Sequence, residues 1–82
     1  MNEILETKVF LFVRKIGVNE TNVIEVDIKE AMKFIKENRK NKDKFQIGIL
    51  TGNSYNNILD VYSEYAPLKK IDSLEELNLI LL

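Results

Sequence analysis

The segment from residue 8 to residue 17, KVFLFVRKIG, constrains the fold most because it carries apolar side chains on both of its faces. Its β-branched and aromatic residues, followed by a glycine, predict a strand. Successive side chains of a strand point to opposite faces, so one face carries Val9, Leu11 and Val13 and the other carries Phe10, Phe12 and Ile16. We therefore predict a central strand whose two faces are covered by helices of the same chain or by a partner.

The next two segments predict a second strand and a helix. Residues 23–28, VIEVDI, alternate apolar and acidic side chains, and the short polar connection VNET predicts an antiparallel hairpin with the first strand. The period then changes to that of a helix, with apolar residues at Ile28, Ala31, Met32 and Ile35. Asp27 and Glu30 have the spacing of a capping box, and the asparagines between 38 and 41 predict the end of the helix.

The second half of the chain predicts one more strand and leaves two segments with alternatives. Residues 44–50, KFQIGIL, predict a third strand with Phe45, Ile47 and Ile49 facing inward. Residues 54–66 have helical spacing with Ser54 as the N-cap, although 58–65 could instead form a fourth strand beside the third. Ser73 and Glu76 predict the start of a C-terminal helix, whereas residues 77–82 could instead form an edge strand.

These elements predict a single small α+β domain over residues 1–82. Its expected order is β-β-α-β-α-α, with helices packed on a mainly antiparallel sheet of three strands, or four under the alternative reading. No linker or low-complexity segment divides the chain.

The composition argues against several classes of function. The chain has no Cys and no His, which removes the usual thiolate nucleophile and the most common acid–base and metal-binding side chain. No segment approaches the run of about 18 apolar residues that a membrane span needs, and the acidic start MNEILETK does not match a signal peptide. We therefore expect a cytoplasmic protein that is not an enzyme and uses no cofactor, catalytic residue or metal.

The leading functional hypothesis is a small regulatory module that binds another protein or a second copy of itself. Apolar and aromatic residues near the second face of the sheet and the leucine-rich C-terminus would form the surface. The predicted protein-binding residues are Phe10, Phe12, Tyr62, Leu79 and Leu81. The composition, rich in Lys, Asn, Ile and Glu, indicates an AT-rich genome, and it suggests by association an accessory protein of a phage or mobile element.

Nucleic-acid binding is the first alternative. The stripe of Lys29, Lys33, Lys36 and Lys40 would share one face of the first helix. Residues 29–44 hold seven basic and three acidic side chains, a local net charge of +4, which could follow a phosphate backbone. A solvated helix face is the competing interpretation of the same lysines.

Anion or nucleotide binding is the second alternative, at the loop formed by Thr51, Gly52, Asn53 and Ser54. The loop follows a strand and precedes a predicted helix, the position at which backbone N–H groups often hold a phosphate. It has one glycine and no lysine, however, and an ordinary strand-to-helix turn uses the same residue types. The turn is therefore the preferred interpretation.

Overall fold

The computed structural model describes residues 7–81, which form a mixed sheet with helices on both faces. The strands are β1 (Lys8–Lys15), β2 (Thr21–Glu25), β3 (Phe45–Gly52) and β4 (Leu68–Lys70). The helices are α1 (Ile28–Glu37), α2 (Tyr55–Val61) and α3 (Leu74–Ile80). Short 3₁₀ turns follow α1 at Arg39–Asn41 and α2 at Ser63–Tyr65. The α+β class is therefore confirmed.

The sheet places β1 in its interior, as the sequence predicts. The strand order is β3-β1-β2-β4, and β1 runs antiparallel to both of its neighbours. Its pairing with β3 runs from Lys8 opposite Gly52 to Lys15 opposite Phe45. The predicted hairpin of β1 and β2 is confirmed, and β4 joins the outer side of β2 in a parallel pairing.

Both faces of β1 are buried under helices of the same chain. Leu11 and Val13 belong to a core that α1 and α3 cover, whereas Phe10 and Phe12 belong to a second core that α2 and the turn Ser63–Tyr65 cover. The first core consists of Leu11, Val13, Ile24, Ala31, Phe34, Phe45, Ile71 and Leu77. The second consists of Phe10, Phe12, Val23, Leu50 and Ile58, with three tyrosines at its margin.

The second half of the chain resolves the two alternatives in favour of helices and adds a strand. Tyr55–Val61 and Leu74–Ile80 are helical, so the strand readings of 58–65 and of 77–80 are wrong, while Leu82 lies outside the described residues. The observed order is β-β-α-β-α-β-α, because β4 lies between α2 and α3. Backbone bonds hold β4 in place: the Ile71 N–H donates to the Val23 carbonyl oxygen at 2.8 Å, just beyond the paired residues.

The predicted helix caps are confirmed at two positions and differ at the third. The Ser54 and Ser73 hydroxyl oxygens accept hydrogen bonds from the N–H groups of Asn57 (3.1 Å) and Glu76 (3.3 Å). Asp27 occupies the N-cap position of α1, but its side chain makes no capping hydrogen bond.

Phe12 depends on the absence of a side chain at Gly48. A Cβ atom at Gly48 would lie 2.7 Å from Cε2 of Phe12, so glycine allows the ring to lie across β3. On its other side the ring packs against Tyr65, with ring centroids 5.2 Å apart. Only 6% of Phe12 is exposed.

We expect Phe12→Asp to unfold the protein, because it removes a buried ring and places a charged group in an apolar core. The free energy of unfolding should fall by at least about 3 kcal/mol. Urea denaturation followed by circular dichroism measures this loss, and Phe12→Leu is the control that should stay folded. A folded Phe12→Asp protein of normal stability would show that the face is not a core.

Candidate protein-binding surface

The outer edge of β3 has backbone groups that pair with no other part of the described chain. Just beyond the β1–β3 pairing, the Ile16 N–H donates to the Lys44 carbonyl oxygen at 2.9 Å. Hydrogen-bonded pairs recur at every second residue of an antiparallel ladder. The even-numbered residues of β3 therefore bond to β1, and the N–H and C=O groups of Phe45, Ile47 and Ile49 point away from it.

The outward groups of β3 remain open within residues 7–81. No described strand pairs with this side of β3, and no described side chain bonds to the backbone of Phe45, Ile47 or Ile49. Further along, the Tyr62 hydroxyl approaches the Thr51 carbonyl oxygen at 3.5 Å, a long contact that leaves the Thr51 N–H and one lone pair of that oxygen open.

The composition of β3 does not protect this edge. Proteins usually block an edge strand with Lys, Pro, a bulge or a short length. β3 is eight residues long, FQIGILTG, and contains no charged residue and no proline. The opposite edge strand, β4, has three residues, and two of them, Lys69 and Lys70, are exposed lysines.

An apolar flank of α1 borders the open edge. Ile35 lines a groove with Phe45 and Ile47, so this side of α1 faces β3. Met32 precedes Ile35 by three residues and lies on the same side of the helix, and 55% of it is exposed. Ile28, four residues before Met32, is 45% exposed but borders the ends of β1 and β2 instead of β3. We call Met32, Ile35, Ile47 and Ile49, with the outward backbone groups of β3, the β3-edge surface.

The other flank of α1 is covered by α3. Glu30, Lys33 and Glu37 line a groove together with Leu74 and Asn78 of α3. The two short helices of this layer therefore leave the β3 side of α1 without a cover in the described chain.

The sequence pattern places Met32 and Ile28 on one apolar face of α1 with Ala31 and Ile35, and it does not reveal that part of this face is exposed. The signal that could have shown it is Phe34, which is buried in the core and widens the apolar arc of the helix. At 100° per residue, the arc from Phe34 to Met32 spans roughly 160°. One sheet cannot cover an arc of that width, so one of its margins must be exposed.

No family model matches the chain, and the searches of curated proteins and of solved structures found no match either. The interpretation of the β3-edge surface therefore rests on its own geometry.

The residues predicted from the sequence to bind a protein do not form one surface. Phe10 and Phe12 are 1% and 6% exposed beneath α2, so they belong to the core. Tyr62 is half-buried beside them. Leu79 and Leu81 lie on the opposite side of the sheet, where Leu79 is 68% exposed and Leu81 packs against the first core.

The lysines of the predicted stripe are exposed, but they do not all share one helix. Lys29, Lys33 and Lys36 lie on α1, whereas Lys40 lies in the 3₁₀ turn after α1 has ended. Within residues 7–81, none of the four forms an ion pair, and the ion pair found there joins Lys8 to Glu25 at 3.9 Å.

The loop Thr51–Ser54 uses its polar groups to begin α2. The Ser54 hydroxyl accepts from the Asn57 N–H, and the Asn57 side-chain oxygen accepts from the Asn53 N–H at 3.2 Å. A Cβ atom at Gly52 would lie 2.5 Å from that same Asn57 oxygen, so glycine permits the close turn. The described residues include no group of three or more Asp, Glu, His or Cys side chains placed to hold a metal.

The tyrosine that begins α2 anchors this helix to the far edge of the sheet. The Tyr55 hydroxyl donates to the Leu68 carbonyl oxygen at 3.1 Å, and its ring lies 6.5 Å from that of Phe10. Burial raises the pKa of the Tyr55 hydroxyl, because desolvation disfavours the phenolate. The neutral, hydrogen-bonding form is therefore the stable one.

We expect Ser54→Ala to lower the free energy of unfolding by about 1 kcal/mol, because the Asn57 N–H loses its capping partner. Chemical denaturation measures the loss, and Ser63→Ala is the matched control, since Ser63 is exposed and no side-chain hydrogen bond is found for it. A different result would instead identify an anion site: Ser54→Ala has unchanged stability, and phosphate raises the melting temperature of the original chain but not that of the variant.

Proposed function

We propose that this chain is a non-enzymatic protein-binding module that binds an extended segment of a partner along the open edge of β3. The observation that supports this proposal is the uncharged edge strand whose outward backbone groups have no partner within residues 7–81. Addition of a strand to such an edge is a common mode of peptide recognition.

The chemistry of the edge suits this mode of binding. Each added backbone hydrogen bond contributes about 0.5–1.5 kcal/mol net. Ile47 and Ile49 offer half-buried apolar side chains beside the new strand, and Met32 offers an exposed one. Burying such side chains contributes roughly 25 cal/mol for each Å² removed from water. Affinity would therefore come from the backbone, and selectivity from the apolar flank.

The absence of His and Cys from the sequence supports a binding role over catalysis. A regulatory or accessory role in a phage or mobile element is part of this proposal and rests on the AT-rich composition alone. Among residues 7–81, no helix has the length and apolar character needed to cross a bilayer.

A labelled peptide that copies residues 44–53 tests the proposal directly. Because its β3 portion, FQIGILTG, carries no charge and matches the edge, we expect saturable binding to the full chain, measured as a rise in fluorescence anisotropy. The control peptide has Ile47→Pro and Leu50→Pro, which remove a backbone donor from each edge of the added strand.

Equal binding of the two peptides, or no binding of either at concentrations up to roughly 1 mM to chain diluted until light scattering shows a monomer, would contradict strand addition at β3. Hydrogen exchange of the backbone amides provides a second measurement. The amides of Ile47 and Ile49 should become protected when the peptide binds, while those of β4 should not change.

Nucleic-acid binding through the lysine stripe is a second candidate, favoured by the exposure of its four lysines and their lack of ion pairs in the described chain. If it is correct, the affinity for a labelled DNA duplex should fall steeply with salt. Lys33→Ala combined with Lys36→Ala should then reduce the salt slope by about 2, because two phosphate contacts are lost.

The matched control for this measurement is Lys15→Ala combined with Lys69→Ala, which removes the same charge from exposed positions outside the stripe. Equal slopes for the two double variants would indicate non-specific attraction. The absence of binding at low salt would remove this candidate.

A further inference from the structure

We infer that the partner strand at the β3-edge surface is β3 of a second copy of this chain, paired antiparallel about a two-fold axis at Gly48. Two four-stranded sheets would then join into one continuous sheet of eight strands, twice the four of one chain. This inference rests on the proposed function and names the partner of the same surface.

The phase of the β1–β3 ladder restricts the register of this pairing. Odd-numbered residues of β3 present their backbone groups outward, so hydrogen-bonded pairs between two copies must join odd residues to odd residues. Centring the axis on Gly48 pairs Ile47 with Ile49 of the second copy, and Phe45 with Thr51. Registers centred on Ile47 or Ile49 are shorter, so the Gly48 register forms the most hydrogen bonds.

The position of α1 fits the same axis. A two-fold axis perpendicular to the sheet keeps both copies of α1 on one face. The helix contacts both β1 and β3, so its axis lies above the gap between these two strands. Neighbouring strands are about 4.8 Å apart, which places each helix about one strand spacing from the two-fold axis and the two helix axes about 10 Å from each other. Helices pack at roughly this distance. Met32 and Ile35 lie on the flank that faces the axis and would contact the second copy.

The charges near β3 favour an antiparallel arrangement. Arg39 and Lys42 line the groove at the N-terminal end of β3, and β3 itself carries no charge. An antiparallel pair places the two basic groups at opposite ends of the strand, about 20 Å apart. This separation exceeds the screening length of about 8 Å at physiological salt. A parallel pair would bring the basic groups together.

A second copy also covers more of this surface than an isolated strand does. A bound peptide would satisfy the edge of β3 but leave exposed side chains on α1, of which Met32 is 55% exposed. The second copy brings an identical edge and an identical apolar flank, so one contact covers both features. The surface is therefore self-complementary in hydrogen bonding and in apolar character, and the antiparallel pairing keeps its basic groups apart.

Light scattering during size-exclusion chromatography of the full chain tests this inference. We expect a dimer, at twice the 9.6 kDa of one chain. Met32→Glu should produce a folded monomer and raise the dimer Kd at least about 100-fold, because it brings two like charges together near the axis. Leu79→Glu is the matched control, because Leu79 is an apolar residue on α3 that is even more exposed than Met32, and this variant should remain dimeric.

A monomer at roughly 0.5 mM would overturn the inference. If the peptide of residues 44–53 still bound, the proposed function would stand with a different partner, whereas failure of both experiments would remove both. A dimer that Leu79→Glu disrupts and Met32→Glu does not would place the interface at the C-terminal leucines and would also overturn the inference.

A crosslinking experiment covers the case in which Met32→Glu fails to fold. The chain has no cysteine, so Met32→Cys introduces a single reactive thiol. A short bismaleimide should crosslink two copies through this thiol, and Leu79→Cys should not crosslink under the same conditions. Equal crosslinking of the two variants, or none in Met32→Cys, would contradict the arrangement.

Discussion

The two-sided burial of β1 is the constraint on which the rest of the structure depends. Leu11 and Val13 need cover on one face of the sheet, and Phe10 and Phe12 need cover on the other. The chain meets this need with α1 and α3 on the first face and α2 on the second. Because all three described helices are used on the faces of the sheet, the outer edge of β3 keeps its backbone groups exposed.

The two edge strands of the sheet differ in length and in charge, and this difference distinguishes the open edge of β3. β4 is short and carries exposed lysines, whereas β3 is long, uncharged and bordered by apolar residues of α1. Unprotected edges invite pairing with another chain, so they are usually blocked. An edge that lacks these devices and lies beside an apolar flank has the properties of an interface, which is why both proposals concern the same surface.

Local patterns predicted most elements correctly because each has a clear period or cap. β1, the hairpin and β3 follow from apolar alternation, and Ser54 and Ser73 begin helices at the predicted positions. β4 was missed because Leu68–Lys70 has neither apolar alternation nor strong strand propensity. It forms through backbone pairing with β2, which lies more than 40 residues earlier in the chain, and a local pattern does not encode such a pairing.

By itself, the sequence determined that β1 has two apolar faces, that the chain contains no His or Cys, and that the segment after Asp27 is helical, because these properties depend on residue type and local spacing. The tertiary structure decided which helix covers which face. It placed Phe10 and Phe12 beneath α2 and left Met32 exposed beside β3. Periodicity shows that a side chain needs cover, but only the packing of distant segments determines whether the cover comes from the same chain.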